Sequence, residues 1–242
     1  MRGSLDSADQ AKIRHLVELV CEQYVPDSPA HDYSHLGRVA ALAERICAAE
    51  GGDQLITLSA AWLHDLHREV RPGDSQFFVS PDSMDERAQR FLADAGIAPS
   101  LRQEILAAIH YTDRYSFSDR PTYEARIEAQ AVRDADNLDA IGAIGIARAF
   151  AFGGAHGIPL WANGAKDEPD SYVQSKRPAS TIHHFYEKLL RLPADLETDT
   201  AIKLAERRSA FMEDFVEEFI QEWREDVGPN GFTTRFLDSP KE

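Results

Sequence analysis

Apolar residues recur at the three- and four-residue spacing of amphipathic helices along nearly the whole chain. The clearest stripe lies within residues 36–47 and consists of Leu36, Val39, Ala40, Ala43, Ile46 and Cys47. A second stripe runs through residues 204–223. The strict alternation of apolar and polar residues that marks a half-buried strand is absent over any useful length. The pattern therefore predicts an all-α protein.

Helix-starting and helix-ending residues divide this pattern into segments. We predict helices over about 8–24, 33–50, 53–67, 181–192 and 198–224, and further helices that begin at Ser83, Ser100 and Tyr123. The sequences SMDE and SLRQ are capping boxes for two of these, and Gly96 is the predicted C-cap between them. Residues 153–180, rich in Gly, Pro, Asp and Ser, are predicted to form a long loop or lid.

We expect residues 1–242 to form one domain: a helical core over about 30–150, the loop 153–180, and C-terminal helices over 181–224 packed on the core. The formal net charge of −15 argues against binding to nucleic acid or to anionic membranes, because both need a positive surface. An anionic substrate would therefore need a cation within its own site.

The cysteine content and the apolar segments bear on cellular location. Cys21 and Cys47 are predicted to be buried free thiols, so a disulfide framework is not supported. The sequence MRGSLDSADQ has no apolar signal core, and the apolar segment 140–155 is interrupted by Arg148 and too short to span a bilayer. These features predict a cytoplasmic protein without a membrane partner.

His64 and Asp65 stand side by side after the apolar run AAWL. Burial of this carboxylate would need a compensating charge. Neighbouring side chains on a helix project about 100° apart, so both can reach one ion beside the helix. A helix-end histidine next to a solvated aspartate is the alternative for an isolated pair. This pair is not isolated, because HDYSHLGRV precedes it and RDADNLDAIG follows it on other predicted helices.

The order of these motifs resembles the HD-domain metal-dependent phosphohydrolase superfamily. The sequences DADNLDAIGAIGIARAF, IHHFYEKLLRL and FMEDFVEEF extend the similarity to its bacterial YedJ/YpgQ-like branch over about residues 10–224. The resemblance implies one divalent ion, Mn²⁺ or alternatively Mg²⁺, Fe²⁺ or Ni²⁺, held by His35, His64, Asp65 and Asp136. Asp65 and Asp136 would then be catalytic, with Glu69 as a candidate for proton transfer.

The implied activity is hydrolysis of phosphate esters or anhydrides by a metal-activated water. The branch implies a nucleoside triphosphate pyrophosphohydrolase that releases monophosphate and pyrophosphate. Three alternatives stay open: a phosphomonoesterase or phosphodiesterase acting on another small phosphorylated metabolite, a di-iron oxygenase, and a non-catalytic signalling module. The oligomeric state, monomer or homodimer, also stays open.

Several polar residues near these motifs are candidates for binding substrate or orienting ligands. Arg38 lies one turn after His35, on the same helical face. With it we assign five substrate-binding candidates: Arg38, His110, Lys176, His184 and Lys188. Asp134 and Asp139 are predicted to orient neighbouring groups or to bind surface cations, and His31 to cap or pack a helix. Asn137 stands where related sequences often have a basic residue.

Overall fold

The computed structural model describes residues 5–24, 29–66, 81–112, 125–162 and 178–227, and the regular elements within these ranges are all helical. The prediction of an all-α protein is confirmed. The α-helices are α1 (Ser7–Gln23), α2 (Tyr33–Glu50), α3 (Gln54–Leu63), α4 (Pro81–Asp94), α5 (Pro99–Thr112), α6 (Ile127–Asp139), α7 (Gly142–Ala155), α8 (Thr181–Glu187) and α9 (Asp199–Val227). Two 3-10 helices cover Pro29–His31 and Leu189–Asp195.

The core forms where α2 packs on α3 and α6, and where α5 packs on α3 and α6. The stripe predicted on α2 is buried throughout, including Leu36, Val39 and Ile46. Helix α3 is buried on nearly all sides, because α1, α2, α5 and α6 all contact it. This arrangement brings the first turn of α2, the end of α3 and the last turns of α6 together.

Local hydrogen bonds fix the ends of these helices. The side chain of Asp32 accepts from the backbone N–H of His35, and Asp53 accepts from the N–H groups of Leu55 and Ile56. Gly51 and Gly96 end α2 and α4 with φ of 90° and 73°, a backbone region that favours glycine. The predicted C-cap at Gly96 is confirmed.

Several boundaries differ from the sequence prediction. Helix α3 ends at Leu63, so His64 and Asp65 lie in the turn that follows it. Helix α5 begins at Pro99, because proline suits the first helical position, and Ser100 is therefore already inside the helix. Pro193 lies within the second 3-10 helix and does not terminate an α-helix there. Cys47 is buried as predicted, but Cys21 is exposed, because it lies on the outer face of α1.

Other predictions fall partly or wholly outside the described residues. Helix α7 continues to Ala155, so the predicted loop starts later than residue 153. Residues 163–177, which include Lys176, lie outside the described part of the chain, and so does Glu69. Among the described residues no single helix is both long and apolar enough to cross a bilayer; α6 and α7 pass that test only when taken together, across a 73° bend.

The turn from α6 to α7 depends on two glycines. Gly142 has φ of 74° and approaches the side chain of Arg208. Gly145 lies against the carbonyl of Ala140: a Cβ atom added there would stand 2.1 Å from the Ala140 oxygen. That oxygen belongs to the backbone, so it cannot move aside as a flexible side chain would. The close approach holds α7 at the end of α6, beside the residues that α6 contributes to the site.

We expect Gly145→Ala to lower the free energy of unfolding by about 2–3 kcal/mol, as overpacking typically does. Gly154→Ala on the same helix is the matched control, since a Cβ added there meets nothing within 4 Å. Alanine is also the better helix former, so this control should unfold at the same or slightly higher denaturant. Urea unfolding followed by circular dichroism measures both. Equal midpoints for the two variants would contradict the packing argument.

Candidate metal centre

Three side chains from different parts of the chain point their ligand atoms at one another. His35 comes from α2, His64 from the turn after α3, and Asp136 from α6. Oδ1 of Asp136 lies 3.5 Å from Nε2 of His35 and 3.7 Å from Nε2 of His64. The three ligand atoms lie within 4.8 Å of one another, close enough for one metal ion to contact all three.

Asp65 adds a second carboxylate to this cluster. Its Oδ2 lies 3.2 Å from Nε2 of His35, and its Oδ1 lies 3.7 Å from Nε2 of His64. The side chain is 5% exposed. The four residues predicted from the sequence as ligands are therefore adjacent in space, although 101 positions separate the first from the last.

The spacing suits a single metal ion. Bonds of about 2.0–2.2 Å to imidazole nitrogen and carboxylate oxygen place neighbouring ligand atoms about 3.0–3.6 Å apart. The separations between ring nitrogen and carboxylate oxygen atoms in the cluster run from 3.2 to 3.7 Å. Two imidazoles with two carboxylates form a mixed set suited to a first-row divalent ion. The residues present fit such an ion.

Both imidazoles are oriented by their other ring nitrogen. Nδ1 of His35 is 2.8 Å from Oδ2 of Asp139, and Nδ1 of His64 is 2.7 Å from the carbonyl oxygen of Ala61. Each Nδ1 can therefore donate its proton outward, leaving the Nε2 lone pair directed at the cluster. The hydrogen bond to Ala61 also fixes the position of His64 in the turn after α3, because its imidazole folds back on the last turn of that helix.

The electrostatics of the cluster favour a cation. Burial would lower the pKa of His64, but the carboxylates of Asp65 and Asp136 outweigh it and raise that pKa to about 9. Burial likewise opposes ionisation of Asp136, yet His64 and His35 lower its pKa. The carboxylates of Asp65 and Asp136 therefore favour positive charge in this buried site, and a divalent ion would supply it.

Asp139 connects the cluster to two arginines. Arg38 donates to it from Nε at 2.7 Å and from Nη2 at 3.0 Å, and Nη1 of Arg148 lies 3.1 Å from its Oδ2. Burial would raise the pKa of Asp139, but His35, Arg38 and Arg148 lower it to about 2. The prediction that Asp139 orients a neighbouring group agrees with these contacts. It does not bind a surface cation, because it is buried.

Arg148 is not among the residues predicted for the site, because in the sequence it stands out only as an interruption of an apolar segment. Its Nε donates to the carbonyl oxygen of Ala30 at 2.8 Å, and its Nη2 lies 3.4 Å from Nε2 of His35. The signal was present in the sequence: a lone arginine in AIGAIGIARAFAFGGA needs a buried partner.

The other predicted residues lie in different surroundings. Nε2 of His110 is 2.7 Å from Oδ1 of Asp85, which joins α5 to α4. Nδ1 of His184 is 2.8 Å from Oε1 of Glu187, and Lys188 follows at the end of α8. His31 is buried, with its ring centroid 6.0 Å from that of His35. The substrate-binding roles of His110, His184 and Lys188 stay predictions.

Asp134 is buried and accepts hydrogen bonds from the start of α9, so it is a structural residue and not a surface cation site. Asn137 is also buried. Both lie on α6 beside Asp136, which places the ligand between fixed neighbours.

The helical core and its histidine–aspartate cluster define an HD domain: the family model of that name matches residues 32–141, and the chain belongs to the HD-domain superfamily. The chain is 40% identical over 193 residues to the uncharacterized protein YpgQ of Bacillus subtilis (strain 168), a match that covers 78% of this chain and 83% of YpgQ. The predicted superfamily and branch are confirmed.

Solved structures give the same result. A protein of Lactobacillus plantarum superposes with a TM-score of 0.76 and 31% identity, covering 92% of this chain and 100% of that one. Bacillus subtilis YpgQ in complex with ADP superposes with a TM-score of 0.66 and 30% identity over 92% of this chain and 98% of YpgQ. An HD-superfamily hydrolase of Bacillus thuringiensis superposes at 0.63 with 31% identity, covering 89% and 98%. The chain is an HD-superfamily hydrolase, an enzyme of a metal-dependent class.

Proposed function

We propose that the protein hydrolyses nucleoside triphosphates to nucleoside monophosphate and pyrophosphate, using one divalent ion held by His35, His64, Asp65 and Asp136. The observation that carries the proposal is the cluster itself, in which two imidazoles and two carboxylates stand at ligand spacing beside two arginines. The crystal structure of YpgQ with ADP supports a nucleotide as the ligand class. Mn²⁺ is the proposed ion, with Mg²⁺, Fe²⁺ and Ni²⁺ as candidates for the same ligands.

The charges around the cluster support an anionic substrate. Asp65, Asp136 and Asp139 contribute three negative charges, and Arg38 and Arg148 contribute two positive charges. A divalent ion therefore leaves the site with a surplus of one positive charge, in a chain whose formal net charge is −15. An acidic protein repels an anionic substrate unless its binding site is locally positive. The surplus positive charge at this site meets that condition for a phosphate group.

The side chains of the site would have two roles, holding the metal ion and orienting its ligands. His35, His64, Asp65 and Asp136 hold the ion, which when bound acts as a Lewis acid and lowers the pKa of water. Asp139 and the Ala61 carbonyl keep the two imidazoles oriented. Asp32 fixes the backbone of His35 at the start of α2. These contacts position the ligands before substrate arrives, so little reorganisation is needed during the reaction.

Hydrolysis at the α-phosphorus forms one P–O bond from water and breaks the P–O bond to the bridging oxygen. Pyrophosphate leaves with that oxygen, and the proton of the water passes to solvent. Attack at the γ-phosphorus would instead release inorganic phosphate. A phosphomonoesterase or phosphodiesterase acting on another metabolite would use the same ligands, so the position of cleavage decides the activity.

Hydrolysis of ATP in ¹⁸O-water by the Mn²⁺-loaded protein tests this proposal. We expect one ¹⁸O atom in the AMP and none in the first-formed pyrophosphate, detected by mass spectrometry with phosphate and pyrophosphate assayed separately. Label only in free phosphate or pyrophosphate would reject attack at the α-phosphorus. Absence of turnover with a panel of nucleotides, together with hydrolysis of a phosphomonoester, would favour the other phosphohydrolase activity.

A further inference from the structure

We propose that Arg148, and not Arg38, is the arginine that binds the substrate phosphate beside the metal site. The inference rests on the proposed phosphohydrolase function, and it names a residue that contacts the substrate. Both arginines reach the same carboxylate, Asp139, so their different remaining contacts decide between them.

The guanidinium of Arg38 is held by protein on all three nitrogens. Nε and Nη2 donate to the two oxygens of Asp139, and Nη1 donates to Oγ of Ser34 at 2.9 Å. Ser34 is exposed and lies one turn before Arg38 on α2, so this end of the guanidinium lies towards the surface. The contacts assign Arg38 to holding Asp139 ionised and in place.

The guanidinium of Arg148 reaches into the cluster. Its Nε is held by the Ala30 carbonyl and its Nη1 lies beside Asp139, while Nη2 lies 3.4 Å from Nε2 of His35. That nitrogen is the one His35 directs at the metal site. The Arg148 side chain is 13% exposed, compared with 34% for Arg38. Arg148 is therefore the more buried cation and stands directly beside a ligand atom.

A metal ion and Nη2 cannot share the lone pair of His35 Nε2. Neutral imidazole offers one acceptor nitrogen, and here Nδ1 faces Asp139 as a donor. When an ion takes the lone pair, Nη2 needs another acceptor close to the ion. An oxygen of a phosphate bound beside the ion would supply that acceptor, and the contacts of Nε and Nη1 hold the guanidinium in position to donate to it.

Binding of inorganic phosphate, measured by the ³¹P relaxation that protein-bound Mn²⁺ causes, separates the two arginines. We expect Arg148→Gln to weaken phosphate binding about tenfold or more, which corresponds to about 1.4 kcal/mol. Mn²⁺ affinity, measured by calorimetry, should change less than about threefold, because the four ligands remain. Arg38→Gln is the matched control, since it removes one positive charge from the same site and also loses contacts to Asp139, and its phosphate affinity should fall several times less than that of Arg148→Gln.

Arg148→Lys is a second variant that keeps the charge but removes the planar fork, and we expect an intermediate phosphate affinity. It keeps the test decisive if Arg148→Gln fails to fold by circular dichroism. Equal losses of phosphate affinity in the Arg148 and Arg38 variants would overturn the proposal, because both would then act through Asp139. So would unchanged phosphate binding in Arg148→Lys and Arg148→Gln, or no phosphate binding by the Mn²⁺-loaded protein.

The probe also separates this inference from the choice of substrate. Inorganic phosphate carries the group that all phosphohydrolase substrates share. Wild-type protein that binds phosphate through Arg148 but leaves nucleoside triphosphates intact would reject the nucleotide proposal and retain the role of Arg148. Protein that hydrolyses nucleoside triphosphates but binds phosphate equally well without Arg148 would retain the nucleotide proposal and reject the role of Arg148.

Discussion

Replacing Asp136 by asparagine is expected to lower kcat/KM for hydrolysis by about 10³-fold or more and to reduce bound metal from one ion per chain to nearly none. One oxygen of Asp136 faces the ligand nitrogens of both His35 and His64. Asparagine keeps the shape but loses the charge that attracts the ion. A 10³-fold loss corresponds to about 4 kcal/mol of transition-state stabilisation.

Metal content by mass spectrometry and turnover with added Mn²⁺ measure the effect. Glu104→Gln is the control, because Glu104 belongs to a surface pair with Arg126 at 2.6 Å and lies outside the cluster. Both variants should keep the helical circular dichroism of the wild type. Full metal content in Asp136→Asn would show that this carboxylate is not a ligand.

The number of metal ions bound by the wild type separates the proposed function from two alternatives. The proposal predicts one ion per chain, a di-iron oxygenase predicts two, and a non-catalytic module predicts none.

The helices were predictable where their signals are local. The buried stripe of α2 repeats every three or four residues, and Gly51 and Gly96 mark helix ends by a property of glycine itself. The ligand set His35, His64, Asp65 and Asp136 came from the resemblance to the HD superfamily, which short motifs in the sequence carry. Such features need no knowledge of which helix packs on which.

The end of α3 was not predictable from the same signals. No glycine or proline stands at His64, and the apolar pattern continues to Leu66. The change to a turn accompanies a contact in which the His64 ring folds back to the Ala61 carbonyl. The start of α5 shows a competition between two local signals, in which Pro99 at the first helical position prevailed over capping by Ser100.

The residues around the metal ligands were the hardest to predict, because their contacts are far apart in sequence. Arg38 on α2 donates to Asp139, which lies 101 positions later in the chain. Arg148 donates to the carbonyl oxygen of Ala30, which lies 118 positions earlier. The sequence showed that an arginine in an apolar helix needs a partner, but not which one. Arg38 was therefore assigned to phosphate from its position on the face of His35, whereas the structure engages it with Asp139.

The second large effect is expected at Asp134, which connects α6 to the start of α9. Oδ2 of Asp134 accepts from the N–H of Thr198 at 2.8 Å, from its hydroxyl at 2.7 Å and from the N–H of Glu197 at 3.1 Å. The carboxyl is fully buried, so water cannot replace it. We expect Asp134→Ala to lower the free energy of unfolding by about 3–5 kcal/mol, since three donors, two of them fully buried, lose their acceptor.

Glu50→Ala is the matched control, because Glu50 accepts from the N–H and hydroxyl of Thr200 in the same first turn of α9, from a more exposed position. Water can hydrate the donors it leaves, so the loss there should be about 1 kcal/mol. Urea unfolding of metal-free protein measures both variants. Equal losses would show that burial of Asp134 contributes nothing beyond ordinary helix capping.

The pH dependence of Asp134→Asn gives an independent check on the same carboxyl. Burial raises the pKa of Asp134 from 3.8 to about 6, despite its hydrogen bonds from Thr198 and Glu197. The folded state therefore holds the proton more tightly than the unfolded state, and the stability this contributes is lost as the pH rises through 6. Asparagine cannot ionise, so the wild type should gain about 2 kcal/mol relative to Asp134→Asn between pH 7.5 and pH 4.5. Parallel pH profiles for the two proteins would mean that the buried carboxyl keeps its ordinary pKa, with its three donors fully compensating its burial.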